Sequence, residues 1–193
     1  NLSDQLGWQE ELYKDLHRRP ELGLQEHRTS ERIHQELKDL GLETTSIGGT
    51  GVVAVIENGE GPTIMARADI DALPVTERTG LDYASENEGV MHACGHDIHQ
   101  SVMLGVALTL ADIDSSAPLA GTVRIIFQPA EEKLPGGAVS VIKEGVLKDV
   151  PRAFALHCEP KVDVGQVGTR IGAITSATDT IKLTVRGHGG HTS

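Results

Sequence analysis

Short apolar segments rich in β-branched residues alternate along this chain with segments of helical period, and that alternation is the strongest constraint on its fold. Ser3 can cap a helix running to about Arg18, with Leu6, Leu12, Tyr13 and Leu16 on one face. A second helix is expected over about 27–40, where Ile33, Leu37 and Leu40 recur and Gly41 suits the position after the last turn. Strands are expected at 52–57 and 63–68, each bounded by Gly or Pro, and an irregular loop at 74–92. The segment from Asp97 to about Asp112 reads as a helix, with Val102, Met103, Val106, Leu110 and Ile113 at helical spacing. An apolar strand at 122–127, a helix at 137–147 and a buried strand at 153–157 follow. Alternation of apolar and polar residues predicts half-buried strands at 166–170 and 180–186. The expected architecture is α/β, a three-layer sandwich around a mixed sheet. Only 3% of residues are aromatic, so the core has to be built from Leu, Ile, Val and Ala.

Charge narrows the function classes. A formal net charge of −11 leaves nothing to neutralise a row of phosphates, which argues against nucleic acid and against an anionic membrane surface. The chain contains no apolar run long enough for a membrane-spanning helix, and Asn1-Leu2-Ser3-Asp4 lacks the apolar stretch of a leader peptide. Two cysteines, Cys94 and Cys158, are too few for a disulfide scaffold. A reduced, cytoplasmic protein is therefore expected.

Each polar cluster falls at the end of an expected strand or just before a helix, where open α/β sheets place their sites. The densest is His92-Ala93-Cys94-Gly95-His96-Asp97-Ile98-His99, whose thiol and imidazoles are good ligands for Zn²⁺ and related ions. The alternative there is a polar loop with incidental histidines. In Gln128-Pro129-Ala130-Glu131-Glu132, adjacent carboxylates point to different sides, so one can bind metal while the other serves as general base. A solvated turn is the plainer reading. His157, at the end of a strand candidate, is either a core histidine or a ligand reaching the same site, and Cys158, of opposite parity, is expected to have no role. Asp69 and Asp71 share a face and can be ligands or partners that orient a ligating His. Gly187-His188-Gly189-Gly190-His191 places a His among glycines that permit close approach of a substrate.

Taken together, these segments resemble the aminoacylase and carboxypeptidase family of co-catalytic metallopeptidases. The likeness is greatest to its amidohydrolase branch, which includes hippurate hydrolases, N-acetyl-diaminopimelate deacetylases and plant auxin-conjugate hydrolases. It is carried by His17-Arg18-Arg19-Pro20-Glu21-Leu22-Gly23 with Glu26, by the 67–74 run, by Met91-His92-Ala93-Cys94-Gly95-His96-Asp97 with His99, by Gln128-Pro129-Ala130-Glu131-Glu132, by Leu156-His157 and by Gly189-Gly190-His191. The resemblance implies two divalent ions (Zn, Mn, Co or Ni) bridged by Cys94 and held by His96, Glu132 and His157, with Glu131 as general base and acid. Asp69-Ile70-Asp71 stands where other branches have a metal-binding His-x-Asp. His191 resembles a lid-domain residue that stabilises the oxyanion in a partner subunit's site. The implied reaction is hydrolysis of the amide bond of N-acyl amino acids by a homodimer, with a dipeptidase or carboxypeptidase of the same family, or a non-catalytic metal-binding module, as alternatives. The family inserts an α+β lid or dimerisation domain and takes its last His ligand from beyond it. Residues 1–177 are accordingly expected to be the N-terminal part of the catalytic domain, and 178–193 the start of the lid.

Overall fold

The computed structural model describes residues 2–114, 120–177 and 179–191. Thr178, the expected first residue of the lid, the side chain of the expected cap Ser3, and the closing Thr192 and Ser193 lie outside the described residues. The chain divides into two units, Asn1–Cys158 and Glu159–Ser193.

The first unit contains α1 (Leu2–Arg18), α2 (His27–Asp39), β1 (Thr44–Ile47), β2 (Gly51–Asn58), β3 (Thr63–Asp69), α3 (His96–Asp114), β4 (Gly121–Gln128), α4 (Gly137–Lys143) and β5 (Arg152–Ala155). Its five-stranded sheet runs β1-β2-β4-β3-β5. The β1–β2 and β2–β4 pairs are antiparallel, while β3 lies parallel to both β4 and β5. The sheet is therefore mixed, and β3 and β4 end side by side with Asp69 opposite Gln128.

Residue alternation assigns the two faces of the sheet. Val52, Ala54, Ile56, Ala68, Ile125 and Phe127 face one core, which Leu12 and Leu16 of α1, Ile33 and Leu37 of α2, and Met103, Leu104 and Ala107 of α3 complete. Met65 and Ile126 face the opposite side and pack with Ile47, Val141 of α4 and Val146. Helices thus cover both faces, giving the expected three layers. α2 ends as its sequence suggests: Gly41, at φ 78°, lets its own N–H reach the Lys38 carbonyl and that of Leu42 reach the Leu37 carbonyl.

Several elements depart from the sequence reading. β1 was not expected, because Thr44-Thr45-Ser46-Ile47 is short and polar. On α3 the buried positions include Gln100, Met103, Leu104 and Ala107, whereas Val102 and Val106 face outward. α4 is shorter than the 137–147 expected, and Gly145, at φ 88°, lies beyond its end. β5 stops at Ala155 and is exposed along its length instead of buried, because it is an edge strand paired only with β3. The described residues of the second unit form neither helix nor strand, so the strands expected at 166–170 and 180–186 are absent. Ile181, Leu183 and Val185 are exposed there. Alternation makes a strand only when a partner ladder and a surface to cover are both present, and no described residue of this unit supplies them.

Candidate metal centre

The parallel ends of β3 and β4 deliver two carboxylate-rich turns to one place, and α3 begins above them. Asp69 and Asp71 leave β3 almost fully buried. The chain leaves β4 through Ala130, which holds the left-handed conformation at φ 48°. That turn is fixed from a distance: Glu26 Oε1 accepts the Ala130 N–H at 2.8 Å, and Asp71 Oδ2 accepts the Glu132 N–H at 2.9 Å. Gly95, at φ 88°, sits between Cys94 and His96, where a Cβ would stand 3.2 Å from the Cβ of Cys158. Its carbonyl accepts the N–H groups of Ile98 and His99, so the loop bearing Cys94 runs directly into α3.

His96 is the hub. Its ring is fully buried, with Nδ1 2.8 Å from the Asp71 carbonyl oxygen. A carbonyl can only accept, so Nδ1 carries the proton. Nε2 is buried without a hydrogen-bond partner, 3.6 Å from Asp69 Oδ2 and 3.9 Å from Glu132 Oε1. Its neighbours form three overlapping donor groups: Cys94 with His96 and His157, His96 with Glu131 and Glu132, and Asp69 with His96 and His99. Within each group the ligand atoms lie no more than 4.8 Å apart. His157 Nε2 stands 3.4 Å from Cys94 Sγ, and its Nδ1 donates to the Cys158 carbonyl at 2.7 Å. Cys94, His96, Glu131, Glu132 and His157 are therefore gathered at one place. His191 belongs to the second unit.

The electrostatics of the cluster favour added positive charge. Burial, the Glu132 carboxylate beside it and the charges of Glu131 and Asp69 push the Cys94 thiol up to about 12. Burial, Glu132 and Asp69 also raise the Glu131 carboxyl. Burial opposes protonation of His96, but Asp71, Asp69 and Glu132 outweigh it and raise its pKa. The carboxylates that retain those protons would equally attract a cation. A soft thiol, imidazoles and carboxylates around a partnerless buried nitrogen are a donor set that fits divalent transition metals.

Three residues near the cluster carried no role in the sequence reading. Glu26 is fully buried and also accepts the Thr50 hydroxyl. His17 Nδ1 lies 2.6 Å from Asp97 Oδ2 and its Nε2 3.2 Å from Glu77 Oε1. His99 bonds to Asp69 and to the Cys158 backbone. Their position in or beside the motifs is the only signal the sequence offers, since their partners are distant in it.

Residues 65–192 match the family described as Peptidase family M20/M25/M40. The chain belongs to this family. Among M20 structures it resembles that of the Bacillus subtilis YXEP protein, described as a dinuclear metal binding peptidase. The TM-score is 0.80 at 41% identity, covering 85% of this chain and 46% of that one. The chain is 43% identical to the N-acetylcysteine deacetylase of Bacillus subtilis, over 93% of its own length and 47% of that enzyme's. It is 45% identical over 95% of its length to a putative glutamate–cysteine ligase of Rhodococcus jostii, but spans only 23% of that protein, too small a share to carry its name across. The chain thus spans about half or less of the curated relatives it matches. No described helix is long and apolar enough to cross a membrane.

Proposed function

We propose that the protein carrying this chain is a two-metal amidohydrolase that cleaves N-acyl amino acids to a carboxylate and a free amino acid. The observation that carries the reading is the convergence of Cys94, His96, His157 and Glu132 donors on one spot beside Glu131, a second carboxylate whose proton affinity is raised. Membership of the M20 family and the likeness to a deacetylase of an N-acetyl amino acid support it.

In this reading Cys94, His96, Glu132 and His157 are the residues of this chain that would hold the two ions. The ions supply Lewis acidity, which makes water acidic enough to lose a proton near neutral pH and polarises the scissile carbonyl. Glu131, adjacent to Glu132 and with a carboxylate oxygen within 4.8 Å of the Glu132 and His96 donor atoms, takes the proton from the attacking water and returns it to the departing amine. Asp71 orients His96 by accepting its Nδ1 proton. His191 stabilises the oxyanion from a lid that begins near residue 178, within a cytoplasmic homodimer. The ions are zinc, manganese, cobalt or nickel. A non-catalytic metal-binding module would have no use for Glu131, which ranks that alternative below hydrolysis.

The adjacent carboxylates provide the test. In the full-length protein, Glu131→Gln is expected to lower kcat by about 10²–10⁴-fold on acetyl- and benzoyl-amino acids while metal content by elemental analysis stays at the wild-type level. Glu132→Ala is expected to lose metal. Reversed phenotypes, or a wild-type protein that hydrolyses neither substrate class, would sink the reading.

A further inference from the structure

Three imidazoles crowd the centre: ring centroids are 5.3 Å apart for His96 and His99, 4.8 Å for His99 and His157, and 6.2 Å for His96 and His157. Their hydrogen bonds separate their roles. His99 Nδ1 lies 2.5 Å from Asp69 Oδ1. Asp69 Oδ1 is placed to accept a proton carried on Nδ1. His99 Nε2 lies 2.9 Å from the Cys158 backbone nitrogen, which can only donate. The ring is therefore the neutral Nδ1–H tautomer, with its one lone pair already engaged. His96 differs, since its Nε2 lone pair is buried and unclaimed.

Cys158 follows His157 directly, and both of its backbone groups are tied: the N–H to His99 and the carbonyl to His157 Nδ1 at 2.7 Å. Arg67 Nη1, 2.9 Å from Asp69 Oδ2, fixes the other end. Arg67, Asp69, His99 and the Cys158 amide form one line from β3 to the loop carrying His157.

We propose that His99 is a positioning residue and not a metal ligand: Asp69 sets its tautomer, and its Nε2 anchors the Cys158 amide so that His157 reaches the donor set. The proposal rests on the reading of His157 as a ligand. It removes His99 from the Asp69–His96–His99 group that distance alone would admit as a metal site.

The test uses the full-length protein with ¹⁵N-labelled histidine, first stripped of metal and then titrated with Zn²⁺. The expected His99 pattern is protonated Nδ1 and unprotonated Nε2 in both states, while His96 Nε2 and His157 shift on metal addition. Calorimetric Zn²⁺ titration supplies the second readout. His99→Leu, which cannot accept from the Cys158 N–H, is expected to weaken one ion by about 10–100-fold, in the range of lost outer-shell partners, and to leave the other unchanged. His99→Gln keeps an amide oxygen for the Cys158 N–H and is expected to restore most of that affinity. Direct perturbation of His99 Nε2 by Zn²⁺, or a His99→Gln protein that loses an ion altogether, overturns the proposal. Neither readout involves turnover, so a protein that binds zinc in the expected way but hydrolyses nothing refutes the enzymatic reading alone. If the wild type takes no metal, the functional reading falls, and the His99 tautomer in the metal-free protein still decides whether the anchor exists.

Discussion

A carboxylate with no exposed surface needs partners, and Glu26 has two: the Thr50 hydroxyl and the N–H of Ala130. The second matters more, because Ala130 holds a left-handed backbone immediately before Glu131 and Glu132. Glu26→Ala leaves that buried N–H unpaired, at a cost of about 1–3 kcal/mol. Urea unfolding should show that loss. Glu26→Gln, whose amide oxygen can still accept, should lose less, and equal losses would mean that the contact with Ala130 contributes nothing. The residue types of the centre were legible in the sequence because they are concentrated: two imidazoles flank the thiol within 92–96, and two carboxylates adjoin at 131–132. Glu26 and His99 were visible only as members of motifs. What defines them is a partner 104 residues away for the first and 59 for the second, and no local pattern encodes such pairings.

α3 begins at the candidate metal centre and is held there by α1. His17, in the last turn of α1, bridges Asp97 in the first turn of α3 and Glu77 in the loop beyond β3, and all three side chains are nearly buried. The hydrogen bond to Asp97 raises the His17 pKa, with Glu77 adding to it against burial. A raised folded-state pKa contributes stability that is fully present below the unfolded value of about 6.5 and is lost as pH rises through the folded value. Stability measured from pH 6 upward should therefore decline over that window, and His17→Gln should flatten the decline; an unchanged slope would place the titrating group elsewhere. The core strands β2, β3 and β4 were readable because their apolar residues bury against helices on both sides. β1 was missed because Thr44-Thr45-Ser46 gains its strand character from pairing with β2, not from its own residues. The converse error, strands expected at 166–170 and 180–186, arose from treating alternation as sufficient when a pairing edge is also required.

Beside β5 the first unit presents a cleft of about 310 Å³ lined by Met65, Ile126, Val141, Val146 and Phe154, among others. Among the described residues β5 pairs only with β3, and Phe154 remains 57% exposed. An open strand edge beside apolar surface promotes association. This chain, produced by itself, should therefore sediment as larger species with rising concentration, and Phe154→Lys should suppress the effect. A monomer at every concentration would show the edge to be harmless. The donor set has a further consequence, in time. Cys94 and His157 meet across 63 residues of chain, and at ordinary synthesis speeds the second leaves the ribosome about 3–13 s after the first. For that interval Cys94 and His96 stand without His157, and an ion held by them alone would have fewer donors than the gathered set offers. The order in which the donors emerge thus makes the pace of the ribosome a variable in how the site is first filled.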